Sequence, residues 1–180
     1  MSETQSTVAS PADQDILITR VFDAPRELVF RAWTDPEHLK RWYAPRGCTI
    51  QFAEMDLRPG GGFHSCIRNP AFHDCWCKGV YQEITTPERI VFTMAVADEK
   101  GNLIEPTEAG MDPDWPRETI VTVTFDEHEG GTKVTLHQTV SESLAKRTGA
   151  YPSWLDMLDR LAEDLAPGQQ QRGNARRFVA

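Results

Sequence analysis

Apolar and polar residues alternate along much of the chain, which is the pattern of β-strands with one buried face. The alternating segments are rich in Val, Ile, Thr and aromatic residues, and turn-forming Gly, Pro, Asn and Asp separate them. We predict strands at 15–22, 49–57, 62–67, 75–84, 89–97, 119–125 and 132–140. The last two flank Glu129-Gly130-Gly131, a glycine turn that predicts a β-hairpin.

A helical period replaces the alternation at three places along the chain. Asp23 and Pro25 are start signals for a first short helix, and Asp35 and Pro36 repeat them for a second that ends near Trp42. Near the C-terminus, apolar residues spaced by 3, 4, 3 and 4 positions predict a long helix with one apolar stripe. The stripe consists of Tyr151, Trp154, Leu158, Leu161 and Leu165.

The order of these elements predicts a single α+β domain. A curved antiparallel sheet has one apolar face, the long C-terminal helix has the stripe that covers it, and two short helices follow the first strand. Because one helix does not fill the concave side of such a sheet, we expect an apolar cavity between them. We expect this domain at 15–166, a disordered leader at 1–14 and a flexible tail at 167–180.

Eight segments carry recognisable residues in this order of elements: 21–25, 29–33, 36–42, 56–61, 78–84, 87–93, 131–136 and 154–162. Together they cover roughly 15–166 and resemble the SRPBCC (START-like) superfamily. Within it, the chain is most similar to the branch related to the activator of the heat-shock-protein-90 ATPase. The resemblance implies a helix-grip fold, in which the sheet wraps around the long helix, and an internal ligand cavity. Members of the superfamily bind lipids, polyketides, hormones or antibiotics, and some cyclise or hydrolyse them.

Charge and composition restrict the partners. The chain has 27 acidic and 19 basic residues, a formal net charge of −8, which argues against a nucleic-acid partner because that affinity rests on clustered Lys and Arg. No stretch approaches the ~20 apolar residues that span a bilayer, and the start lacks the basic and apolar regions of a secretory signal. We therefore expect a cytoplasmic protein without membrane insertion, with four reduced cysteines. Homodimer formation stays open.

Aromatic residues are the candidates for the cavity wall, because bulky rings give shape-selective apolar contact. For any one ring, ordinary core packing is the competing interpretation. The aromatic candidates are Phe30, Trp33, Trp42, Phe52, Phe63, Trp76, Phe92 and Trp154. Our predicted ligand-binding set is Trp42, Phe63, Ser65, Trp76, Phe92, Trp154 and Leu158.

Polar residues that could orient a ligand are fewer: His64, Ser65, Arg68, His137 and Asp156. The sequence has no Ser-His-Asp order, phosphate-binding loop, dinucleotide fingerprint or HExxH motif. His137 lies on the strand face opposite Val134 and Leu136, which favours a solvent-facing side chain. Catalytic residues therefore stay unassigned, and we expect no cofactor.

One group of residues resembles a set of metal ligands: His64, Cys66, His73, Cys75 and Cys77. Residues 64 and 66 share one strand face, and 75 and 77 share one face of the next strand, so pairing of the strands could gather them around Zn²⁺. Neither spacing is usual for structural zinc, and free Cys is often a small buried hydrophobe. We predict free thiols and no metal.

These observations leave three functional hypotheses. The first is non-catalytic binding of a small apolar molecule in the cavity. The second is an enzyme of the cyclase, aromatase or hydrolase kind acting on a polyketide-like or other apolar substrate, which needs a titratable pocket residue such as His64 or His137. The third is surface-mediated protein interaction, or a co-chaperone-like role, through the acidic loop at 98–116.

Overall fold

Seven antiparallel strands form one continuous sheet, seen in a computed structural model that describes residues 13–167. The strands are β1 (Asp15–Phe22), β2 (Thr49–Met55), β3 (Gly62–Arg68), β4 (Cys75–Thr85), β5 (Arg89–Val96), β6 (Glu118–His128) and β7 (Gly131–Ser141). Their order across the sheet is β1-β7-β6-β5-β4-β3-β2, so β1 and β2 are its edges.

Four α-helices complete the described part of the chain. They are α1 (Arg26–Thr34), α2 (Pro36–Trp42), α3 (Glu142–Thr148) and α4 (Ala150–Asp164). The sheet curves around α4, which confirms the predicted helix-grip α+β class. Within the described residues, none of the helices is long and apolar enough to cross a membrane.

The apolar stripe of α4 meets the concave face of the sheet, as its spacing predicts. Trp154, Leu158 and Leu161 are buried there, whereas Leu155 on the opposite side is 36% exposed. The indole N–H of Trp154 donates to Gln138 Oε1 on β7 at 2.8 Å, and Gln138 Nε2 donates to Thr119 Oγ1 on β6 at 3.0 Å. Two buried polar side chains of the sheet are thereby satisfied, and one of them is tied to the helix.

Local start signals explain the first two helices. Pro25 precedes α1, and Asp35 caps α2 because its carboxylate accepts the backbone N–H of Glu37 at 2.9 Å. In β1, Ile16, Ile18 and Phe22 are buried on one face, Arg20 on the same face is half-buried and pairs with Asp159 of α4, and Leu17, Thr19 and Val21 are exposed.

The structure differs from the predicted elements at several places, and β6, for example, runs to His128 rather than to residue 125. A fourth helix, α3, was missed, although Ser141 caps it by accepting the N–H of Leu144 at 3.3 Å, because the strand pattern of β7 runs directly into it. Strand β2 ends at Met55 rather than at residue 57, because Asp56 already begins a tight turn. The 98–116 loop contains a 3-10 turn at Pro106–Ala109.

The ends of the chain were predicted to be a disordered leader and a flexible tail. Most of both segments lies outside the described residues. Asp13 and Gln14, which fall inside the predicted leader, already hold the start of α3. The carboxylate of Asp13 accepts from Ser143, and the carbonyl of Gln14 accepts the N–H of Glu142 at 2.8 Å.

Candidate functional site

A small cavity lies between α2 and the concave faces of β2 to β5. Its volume is about 20 Å³, enough for about one water molecule. The lining residues come from α1, β2, β3, β4, β5, α2 and the turn after α2. They are Trp33, Leu39, Tyr43, Phe52, Met55, Phe63, Ser65, Tyr81, Ile90 and Phe92.

Three rings form the sheet side of this cavity. The ring centroids of Phe63 and Tyr81 are 5.6 Å apart, those of Phe63 and Phe92 are 6.0 Å apart, and those of Tyr81 and Phe92 are 5.9 Å apart. Tyr81 and Phe92 are direct partners across β4 and β5, so their side chains share the concave face.

A glycine on β4 allows the Phe63 ring to pack directly against that strand. Gly79 pairs with Phe63 across β3 and β4. A Cβ at Gly79 would be 2.6 Å from the Phe63 ring and 1.8 Å from the carbonyl oxygen of Thr93. The absence of a side chain at this position is therefore what lets Phe63 lie over β4.

The mouth of the cavity lies between α2 and the edge strand β2. Tyr43, Phe52 and Met55 are only partly buried there. The pairing of β2 with β3 shifts between Phe52 and Glu54, a β-bulge that bends the edge strand beside the mouth. Because Met is long and flexible, Met55 is the lining side chain best able to move aside.

The polar groups of the lining are uncharged. They are the hydroxyls of Tyr43, Ser65 and Tyr81 and the indole N–H of Trp33. The Trp33 nitrogen is buried and has no hydrogen-bond partner in the described part of the chain. A buried donor without a partner costs about 1–3 kcal/mol, so this group calls for an explanation.

Burial also governs the two tyrosines. It raises the pKa of Tyr43 above the ordinary phenol range, and nearby Tyr81 and Cys77 add smaller contributions in the same direction. Burial likewise raises the pKa of Tyr81. Both phenols are therefore neutral donors and acceptors at physiological pH, and the site disfavours a negative charge at their oxygens.

Three of the seven predicted ligand-binding residues line the cavity: Phe63, Ser65 and Phe92. Trp42, Trp154 and Leu158 lie in the surrounding core instead. The indole N–H of Trp42 donates to the Ala32 carbonyl at 3.0 Å, which fixes that ring between α1 and α2. Trp154 is fixed by its bond to Gln138, and Leu158 is fully buried under the sheet.

Trp76 is on the wrong face of the sheet for the cavity. It pairs with Cys66 and stacks beside His64 at a centroid distance of 4.8 Å on the outer face. The parity of β4 explains this, because Tyr81 points inward and Trp76 is an odd number of residues away.

The lining residues that the sequence missed are Leu39, Tyr43, Met55, Tyr81 and Ile90. The same parity could have found Tyr81.

The other polar candidates do not belong to the lining. His64 Nε2 is 3.0 Å from the Asp98 carbonyl oxygen under the 98–116 loop. Arg68 pairs with Asp74, and Asp156 accepts the backbone N–H of Arg46 at 2.6 Å. His137 Nε2 lies 3.1 Å from an Asp15 carboxylate oxygen on the outer face, as its parity favoured.

The strand register decides where the cysteines point. Cys75 and Cys77 pair with Ile67 and Ser65 on the concave face, whereas Cys66 pairs with Trp76 on the outer face. Of the possible metal ligands, His64 and Cys66 therefore lie on one side of the sheet and Cys75 and Cys77 on the other, so they do not converge. All four cysteines are free.

Several carboxylates of the acidic 98–116 loop are bonded to neighbouring groups. Asp112 and Asp114 both pair with Arg147 of α3, at 3.2 Å and 3.1 Å. Glu105 pairs with Arg117, and Asp98 accepts the side-chain amide of Asn102 at 2.8 Å. These bonds fasten the loop to the domain, so most of its carboxylates are already engaged.

These features define a helix-grip α+β domain with a small, uncharged interior cavity. The family model of the activator of Hsp90 ATPase homolog 1-like proteins matches residues 23–166. The chain therefore belongs to this family, as the sequence resemblance indicated. No curated protein matches the chain.

Solved bacterial structures share the fold. A protein from Chromobacterium violaceum is 26% identical, with a TM-score of 0.69, and the match covers 84% of this chain and 96% of that one. A protein from Mycobacterium smegmatis is 23% identical, with a TM-score of 0.70, over 84% of this chain and 90% of that one. A protein from Staphylococcus epidermidis is 25% identical, with a TM-score of 0.69, over 87% and 92%.

Proposed function

We propose that this protein binds a small apolar molecule between α2 and β2 to β5, without catalysing a reaction. The observation that carries the proposal is the composition of the cavity wall, in which apolar and aromatic side chains surround a few neutral polar groups. Such a wall is typical of small-molecule sites. Membership of a family with a helix-grip fold supports the same function.

Binding requires the mouth to open. The cavity holds about one water, so a larger molecule has to displace side chains of the lining. Met55 and Phe52 are the best placed, since they are partly buried on an edge strand that has a neighbour on one side only. Outward movement of these two side chains would join the cavity to the space between α2 and β2.

The absence of a charged group from the described lining supports binding rather than catalysis. The histidines that the enzyme hypothesis needs, His64 and His137, belong to the outer face. The tyrosines have raised pKa values, which makes them poor general bases near neutral pH. We also propose a cytoplasmic location, in line with the expectation from the sequence.

Filling the cavity should weaken binding of a neutral apolar dye. We expect N-phenylnaphthylamine to bind the wild-type protein with enhanced fluorescence, and Ser65→Leu to weaken this binding at least ~10-fold, because the new side chain occupies the cavity. Met55→Ala should strengthen binding severalfold by widening the mouth. Fluorescence titration measures all three affinities.

Thr19→Leu is the matched control, because Thr19 is exposed on the outer face of β1. It should leave the dye affinity unchanged. A circular dichroism melt verifies that Ser65→Leu is folded at the titration temperature. If the dye binds neither the wild type nor Met55→Ala, the proposed function is wrong.

A further inference from the structure

The indole N–H of Trp33, a residue of the cavity wall, has no hydrogen-bond partner within residues 13–167. Trp33 is almost fully buried, lines the cavity, and its indole N–H has no partner among the described residues. The two neighbouring tryptophans of the core differ, since Trp42 donates to the Ala32 carbonyl and Trp154 donates to Gln138. A buried indole N–H is normally paired, so the Trp33 nitrogen marks a place for an acceptor that the protein itself does not provide.

Two hydroxyls belong to the same wall. They are those of Tyr81 and Ser65, which are more than nine-tenths buried in the lining. Each hydroxyl can donate one bond. The residues around this space of about 20 Å³ therefore carry several groups that can donate a hydrogen bond.

The ligand's acceptor group should be uncharged, because the described lining offers it no positive charge. No Lys, Arg or His belongs to the described lining, so an anion entering the cavity would lose its hydration without gaining a counter-charge. The raised pKa values of Tyr43 and Tyr81 show the same penalty acting on the protein's own groups. A carboxylate is thus a poor head group for this site.

We propose that the ligand is an uncharged apolar molecule with a carbonyl or similar oxygen, which accepts a hydrogen bond from the indole N–H of Trp33 and from a lining hydroxyl. This inference rests on the proposed function and narrows the ligand class from apolar molecules in general. Fatty-acid anions also have an apolar chain, but their negative charge places them outside the preferred ligand class.

The test compares three probes of similar chain length: methyl hexyl ketone, octanoate and octane. Each is titrated as a competitor of N-phenylnaphthylamine on the wild-type protein at neutral pH. We expect the ketone to bind at least ~10-fold more tightly than octanoate. Tyr81→Phe should weaken the ketone about threefold or more and leave octane unchanged, because it removes only a hydroxyl.

The indole N–H signals give a direct readout of the proposed bond. In a proton–nitrogen correlation spectrum, the Trp33 indole signal, assigned with a Trp33→Phe variant, should move downfield on saturation with ketone and stay in place with octane. The signals of Trp42 and Trp154 are internal controls, because their hydrogen bonds are already formed.

The possible results separate the two claims. If octanoate binds as tightly as the ketone or more tightly, or if the Trp33 signal does not move at ketone saturation, the inference of a neutral acceptor is wrong. In either case, binding of the dye still supports the proposed function. Failure of the dye and of all three probes to bind overturns both.

Discussion

Replacing Trp154 with alanine should lower the free energy of unfolding by about 3–5 kcal/mol. The ring is 4% exposed, lies 6.4 Å from the Trp33 ring and 5.9 Å from the Tyr43 ring, and donates to Gln138 at 2.8 Å. Its removal leaves a cavity between α4 and the sheet. It also leaves Gln138 Oε1 without its donor, in an interior where an unpaired polar group is costly.

Chemical denaturation of the wild type and Trp154→Ala measures this difference. Leu155→Ala is the matched control on the same helix, since Leu155 is 36% exposed and should contribute little. A loss at Trp154 below about 1 kcal/mol would mean that α4 is not packed on the sheet as described.

Gly79→Ala should destabilise the domain by about 3 kcal/mol or more, at the upper end of what overpacking costs. The added Cβ would be 1.8 Å from the Thr93 carbonyl oxygen and 2.6 Å from the Phe63 ring. The carbonyl belongs to β5 and is backbone, so it cannot rotate away as a side-chain end can. Relief of both clashes requires that β4 and β5 separate and that the Phe63 ring move.

The control for this substitution is Gly62→Ala on the neighbouring strand. A Cβ at Gly62 would meet the Gly79 carbonyl oxygen at 3.6 Å, an ordinary contact, so we expect little change or a slight gain in stability. Thermal and urea unfolding of both variants give the comparison. Equal stability of the two alanine variants would refute the close packing of Phe63 over Gly79.

Much of the fold could be predicted because each element carries its own periodic signal. Ile16, Ile18 and Phe22 recur at strand spacing in β1, and Trp154, Leu158 and Leu161 recur at helical spacing in α4. These patterns depend on local geometry alone. The hidden helix α3 shows the limit, since its start signal at Ser141 coincides with the last residue of a strand.

The site was less predictable because it depends on register and on packing volume. The register of β3 and β4 places Cys75 and Cys77 opposite Ile67 and Ser65, which no single-strand pattern shows. The volume of the cavity depends on how Trp33, Trp42 and Trp154 fill the space beside it. Of the aromatic candidates, Trp33, Phe52, Phe63 and Phe92 line the cavity, and the space between them is small.

Intermolecular nuclear Overhauser effects between methyl hexyl ketone and the protein test the central claim most directly. If the interior receives the ligand, ketone protons should show cross-peaks to the rings of Phe63, Tyr81 and Phe92, which surround the cavity. Cross-peaks confined to exposed outer residues such as Phe72, or none under saturating ketone, would contradict binding in the interior.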